Sequence, residues 1–237
     1  MLKTLTRVRL VPLLLVALAA GFTIAQEPST QQRTKLACVG DSITYGAGIK
    51  DRDHDSYPVQ LGQMLGTGWD VRNFGVSGAT MLKQGNKPYD KQKAYKEALA
   101  WKPDVVVIML GTNDSKPQNW DQHKDEYAAD YKSLIGAFRD ANPIARIYAC
   151  TPVPAWDNKY KIRGEVIDND QIPAIKQIAA ETKSKTIDLR GALDDKKTDF
   201  PDGVHPNEEG AHFMAAAVYE ALTGKPAPAS QPAGAAH

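Results

Sequence analysis

The sequence predicts an α/β domain, a three-layer sandwich of helices around about five parallel strands. Short apolar runs alternate with longer segments of helical period, the pattern of β-α-β units that feed a parallel sheet. Of the 237 residues, 42% are hydrophobic and 24% charged. That suffices for one core, since a single core grows to roughly 250 residues before a chain divides. No repeat or second domain interrupts the pattern.

Residues 1–25 stand outside it. Lys3, Arg7 and Arg9 precede an apolar run over 10–20, and Thr23, Ile24 and Ala25 offer a cleavage site, so a cleavable secretory signal is predicted. The competing reading is a membrane anchor, but the run falls short of the roughly 20 apolar residues that a span needs. With the signal removed, no stable membrane insertion is expected, and the protein should be secreted or periplasmic. A polar leader over 26–34 precedes the domain, expected over 35–224. The Ala- and Pro-rich tail over 225–237 has nothing to bury and is expected to be disordered.

Within the domain the strand candidates are 35–39, 70–73, 105–110, 146–150 and 186–189. Between the third and fourth, Tyr127, Tyr131, Leu134, Ile135 and Phe138 form one face of an amphipathic helix, which Asn142 and Pro143 stop. Ile172, Ile175 and Ile178 mark another, with Pro173 tolerated in its first turn. The last runs through Phe213, Met214, Ala217, Val218 and Leu222, is started by Pro206 or Asn207, and ends at Gly224.

Taking the predicted signal's three basic residues from the 29 Lys and Arg leaves 26 against 28 Asp and Glu. This near-neutral balance excludes nucleic acid as an expected partner, because a phosphate backbone demands clustered positive charge. Cys38 and Cys150 fall in separate strand candidates and are expected to be buried free thiols. His54, His123, His212 and His237 lack zinc-ligand spacing and are expected at the surface.

In an open parallel sheet, ligands bind beyond the carboxyl ends of the strands. Gly40-Asp41-Ser42 follows the first strand, where a tight turn can hold a hydroxyl up at the sheet edge, or merely cap a helix. The loop from Asn73 to Thr80 follows the second, and its Gly78 can leave a backbone N–H free for an oxyanion. Asn113, after the third strand, can donate its amide N–H to developing negative charge, although Asn-Asp is also ordinary turn chemistry. Asp202 and His205 lie three residues apart before the last helix, a spacing that brings a carboxylate beside an imidazole. Each signal is weak alone. Their conjunction at one edge of one sheet is strong.

Together these residues resemble the four blocks of the SGNH, or GDSL-type, hydrolase family, over about 36–218. The resemblance implies a flavodoxin-like fold with strand order 2-1-3-4-5 and no metal or organic cofactor. It implies Ser42 as nucleophile, Asp202 and His205 as its triad partners, and an oxyanion hole from Ser42, Gly78 and Asn113. Block one reads Gly-Asp-Ser-Ile where the family has leucine last, an aliphatic exchange that leaves the chemistry intact. Ser77 is a competing nucleophile, but the family pattern assigns its loop to the hole.

The chain looks similar to members that remove acetyl groups from carbohydrates, sialate O-acetylesterase-like proteins among them, so a small-molecule or glycan ester is the expected substrate. Asn119 and Trp120 after block three, and Trp156 after the fourth strand, are candidates for the cleft rim, where aromatic faces and amides suit a sugar. The alternative is that both tryptophans only pack loops down. A lysophospholipase or acyl thioesterase of the same fold is a second reading. From other classes come a flavodoxin-like binding protein and a non-catalytic sugar-binding module, and the first of these leaves Asp202 and His205 unexplained.

Overall fold

The computed structural model describes residues 32–228. The signal predicted over 1–25 and most of the tail predicted over 225–237 lie outside the described residues. Five strands make one parallel sheet: β1 (Thr34–Gly40), β2 (Trp69–Gly75), β3 (Val105–Met109), β4 (Arg146–Cys150) and β5 (Lys185–Ile187). Their order is β2-β1-β3-β4-β5, as the resemblance implied.

Successive side chains of a strand face opposite sides of a sheet, and here they sort into two cores. Leu36, Cys38, Val105, Val107 and Cys150 face one side. There they meet Tyr57 and Leu61 of α1 (Tyr57–Leu65), and Met214, Ala215 and Val218 of the C-terminal helix. Ala37, Val39, Val106, Ile108 and Ala149 face the other side, with Ala98 of α2 (Lys93–Trp101) and Tyr131, Leu134 and Phe138 of α4 (Tyr127–Ala141). Between α2 and α4 lies the short α3 (Pro117–His123). The central strand β3 is Val-Val-Val-Ile-Met and wholly buried, which is why it reads as a continuous apolar run. Burying one such side chain contributes roughly 1.5–3 kcal/mol.

Two helices follow, α5 (Ile172–Glu181) and α6 (Glu208–Thr223). Helix α5 carries Pro173 in its first turn, as expected. A π-helical stretch, Ile167–Gln171, leads directly into it, so Pro173 lies where a widened turn passes into α-helix. For α6, Asn207 is the cap, accepting the Gly210 N–H at 2.8 Å, and Gly224 ends the helix with φ +69°. Among the described residues, no helix is long and apolar enough to cross a membrane. Cys38 and Cys150 are buried free thiols on β1 and β4, with β3 between them.

Candidate active site

Four loops at the carboxyl edge of the sheet supply the site. Behind β1, the Asp41 carboxylate accepts the Ile43 N–H at 2.9 Å and caps the helical turn Ser42–Tyr45, which starts at Ser42. Ser42 Oγ lies 2.9 Å from His205 Nε2, and His205 Nδ1 lies 2.8 Å from Asp202 Oδ2. The other carboxylate oxygen of Asp202 accepts the N–H groups of Val204 (3.0 Å) and His205 (2.7 Å). Partial burial works against the charge on Asp202, but these donors prevail and hold its carboxyl down at about 2. The ionised carboxylate fixes the proton on Nδ1, which leaves Nε2 to accept from the Ser42 hydroxyl.

The turn that makes this possible depends on Gly203. Its φ is +79°, and a Cβ there would meet the Asp157 carbonyl oxygen at 2.4 Å. Gly78 also has φ +79°. Neither the Gly78 N–H nor the Ser42 N–H donates to another group among the described residues. Asn113 is buried, and its Nδ2 donates to the Ala79 carbonyl at 3.1 Å, with Asp41 Oδ2 at 3.5 Å. The second contact is at the edge of hydrogen bonding.

A buried frame joins these loops. Asp114, 0% exposed, accepts the N–H groups of Met81 (2.9 Å) and Leu82 (2.7 Å), tying the loop of Gly78 to the loop of Asn113. Burial pushes the Asp114 carboxyl up to about 7, and that of Asp41 up to about 6. Asp114 was not among the residues singled out from the sequence, since an aspartate after Asn113 reads as turn chemistry.

Two of the expected rim residues lie elsewhere. Asn119 is 1% exposed; its amide donates to the Asn113 carbonyl at 2.8 Å and to Asn86 Oδ1 at 3.0 Å, while its own oxygen accepts the Asn86 N–H. Trp120 is 5% exposed, donates to Asp170 at 3.0 Å and packs edge-on against Tyr127. Both are framework residues because α3 turns this segment inward, and neither offers a surface to a ligand. Trp156 is half-buried, packs against Phe200, and lines an open groove of about 530 Å³ with Asp157, Glu165 and Asn169. Its N–H donates to the Gly203 carbonyl at 2.9 Å, so this groove adjoins the Asp202–His205 turn. Ser77 is exposed, and no imidazole among the described residues bonds to it.

Residues 38–213 match the model of the GDSL-like Lipase/Acylhydrolase family. An acetylxylan esterase of Xylanibacter ruminicola is 42% identical over 206 residues, covering 79% of this chain and 43% of the relative. The chain thus spans less than half the length of that relative. An acetylxylan esterase of Geobacillus stearothermophilus is 29% identical over 77% of this chain and 91% of its own. Among solved structures, Est24, a carbohydrate acetylesterase from Sinorhizobium meliloti, has a TM-score of 0.67 at 19% identity, covering 81% of this chain and 99% of that one. That likeness speaks for the fold. With three-quarters of its length inside the family model, the chain belongs to the GDSL-like lipase/acylhydrolase family.

Proposed function

We propose that this protein is an exported serine esterase that removes small acyl groups, acetyl foremost, from carbohydrates. The observation that carries the reading is the unbroken run of hydrogen bonds from Ser42 Oγ through His205 to Asp202. In the proposed reaction His205 Nε2 takes the Ser42 proton as Oγ attacks the ester carbonyl carbon. The oxyanion is received by the N–H groups of Ser42 and Gly78, and by Asn113 once its weak contact to Asp41 is released. Collapse of this intermediate breaks the bond to the alcohol oxygen, which takes the proton from His205. Acylated Ser42 is then hydrolysed by water that His205 deprotonates, while Asp202 stays ionised and stabilises the imidazolium.

The carbohydrate part is supported by the names of the relatives and by the groove beside the Asp202–His205 turn, where Trp156 stands among carboxylates and amides. An indole beside hydrogen-bonding groups suits the apolar face and hydroxyl edge of a sugar next to the acylated one. Export is supported by the basic and apolar segment over 1–25.

Hydrolysis of p-nitrophenyl esters from acetate to decanoate, with wild type beside Ser42→Ala, tests the reading. Acetate should be preferred, and the variant should lose roughly 10⁶-fold in kcat. A preference for decanoate would point to lipid esters, and a Ser42→Ala variant of near-normal activity would remove Ser42 as nucleophile.

A further inference from the structure

The Asp202 carboxylate is held by more donors than its pairing with His205 requires. Its Oδ2 accepts from His205 Nδ1 at 2.8 Å and also from the Tyr160 hydroxyl at 3.0 Å. The Tyr160 ring stands edge-on to the imidazole, with centroids 5.2 Å apart and planes at 88°. One side chain, 42 residues away in sequence, therefore touches both members of the pair. The loop after β4 is built to present it. Asn158 Oδ1 accepts the N–H groups of Tyr160 (3.0 Å) and Ile162 (3.2 Å), and Asn158 Nδ2 donates to the carbonyls of Trp156 and Ile162. The Trp156 N–H in turn bonds the Gly203 carbonyl, inside the Asp202–His205 turn.

We propose that Tyr160 is a positioning residue of the esterase reaction, locking the Asp202 carboxylate and buttressing the His205 ring. The proposal rests on the Ser42–His205–Asp202 reading. With two donors on each oxygen, all four lone-pair positions of the carboxylate are filled. It cannot rotate about Cβ–Cγ without breaking charge-assisted bonds. Asp202 is part-exposed, with 30% of its side chain accessible, so an unoccupied lone pair would be taken by mobile water instead of a fixed phenol. The hydrogen bond to Asp202 raises the phenol above its ordinary pKa, which keeps it a donor wherever the esterase works. While His205 is an imidazolium, its counter-charge must stay in the ring plane, and the ring must not swing away from Ser42. Tyr160 opposes both motions.

The test compares wild type, Tyr160→Phe, Tyr160→Ala and Ser42→Ala on p-nitrophenyl acetate. Tyr160→Phe keeps the ring and loses the donor, and should lower kcat roughly 5- to 30-fold with KM unchanged. Tyr160→Ala should lower it further, because the ring contact to His205 is lost as well. In proton NMR, the low-field resonance of the His205 Nδ1 proton should move in Tyr160→Phe, since its acceptor oxygen has lost a donor; a packing role alone would leave it in place. An unchanged kcat, a raised KM at constant kcat, or an unmoved resonance overturns the proposal. If Ser42→Ala is inactive while Tyr160→Phe behaves as wild type, only the Tyr160 role fails. If Ser42→Ala keeps its activity, the nucleophile assignment and the Tyr160 role fail together.

Discussion

The Asp202–His205 turn and the frame around Asn113 border one candidate site but are built in opposite ways. The turn is local: carboxylate and imidazole are three residues apart, partly open to solvent, and held by backbone N–H groups of the same turn. The frame is long-range and buried. Asp114 reaches back 32 and 33 residues to Leu82 and Met81, and Asn119 reaches 33 to Asn86. The polar turn keeps its charge in water's reach, whereas the frame trades carboxylate ionisation for rigidity, as the opposite shifts of Asp202 and Asp114 record. Damage to the turn should thus appear in the rate, and damage to the frame in stability as well.

The largest effect that sharpens this contrast is Asp202→Asn. It keeps the shape of the turn but loses the charge that fixes the His205 tautomer, so kcat should fall by about 10⁴-fold, with a smaller fall in melting temperature than the buried frame variants show. Asn113→Ala should cost about 10²- to 10³-fold in kcat if its amide receives the oxyanion. Asn113 also bonds Ala79, so a larger fall in melting temperature should accompany the loss than at Asp202. Asp114→Ala strands two buried N–H groups, each worth about 1–3 kcal/mol unsatisfied, and chemical denaturation should find it the least stable of the three. Equal stability for Asp114→Ala and Asp202→Asn would break the comparison.

The smallest expected effect is on pH dependence. Burial raises Asp41 from its ordinary 3.8 to about 6, so folding favours its protonated form. Its contribution is fully present below pH 3.8 and is lost as pH rises through 6. Asp202, lowered from 3.8 to about 2, contributes above pH 3.8, and that part is lost as pH falls through 2. Urea midpoints for Asp41→Asn should decline less than wild type between about pH 4 and pH 6, with the acid loss due to Asp202 unchanged.

Legibility in the sequence followed the same division. Strand β3 was readable because a strand buried on both faces is a run of β-branched residues, and Asp202 and His205 because three-residue spacing is visible in one dimension. Helix α1 was not singled out: its nine residues include Pro58, which the first turn accommodates, and Gly62, which packs beside Val71 of β2. Helix α2 buries only Ala98 fully, too little for a periodic signal. Asn119 and Trp120 were expected at the rim because they follow a strand end. Their partners, Asn86 and Asp170, lie 33 and 50 residues away, and nothing in the local pattern announces them. Tyr160 left no signal for the same reason.

The two cysteines have a use that follows from their burial alone. With Cys38 pushed up to about 12 and Cys150 raised further, and with neither side chain in reach of solvent, a thiol reagent meets no thiolate while the sheet is closed. They report on two strands separated by a third, so their labelling rates measure how often the centre of the sheet opens. Equal rates would mean that β1 and β4 part in one cooperative event; a faster Cys150 would mean that the β4–β5 edge peels away first, without any probe having been introduced.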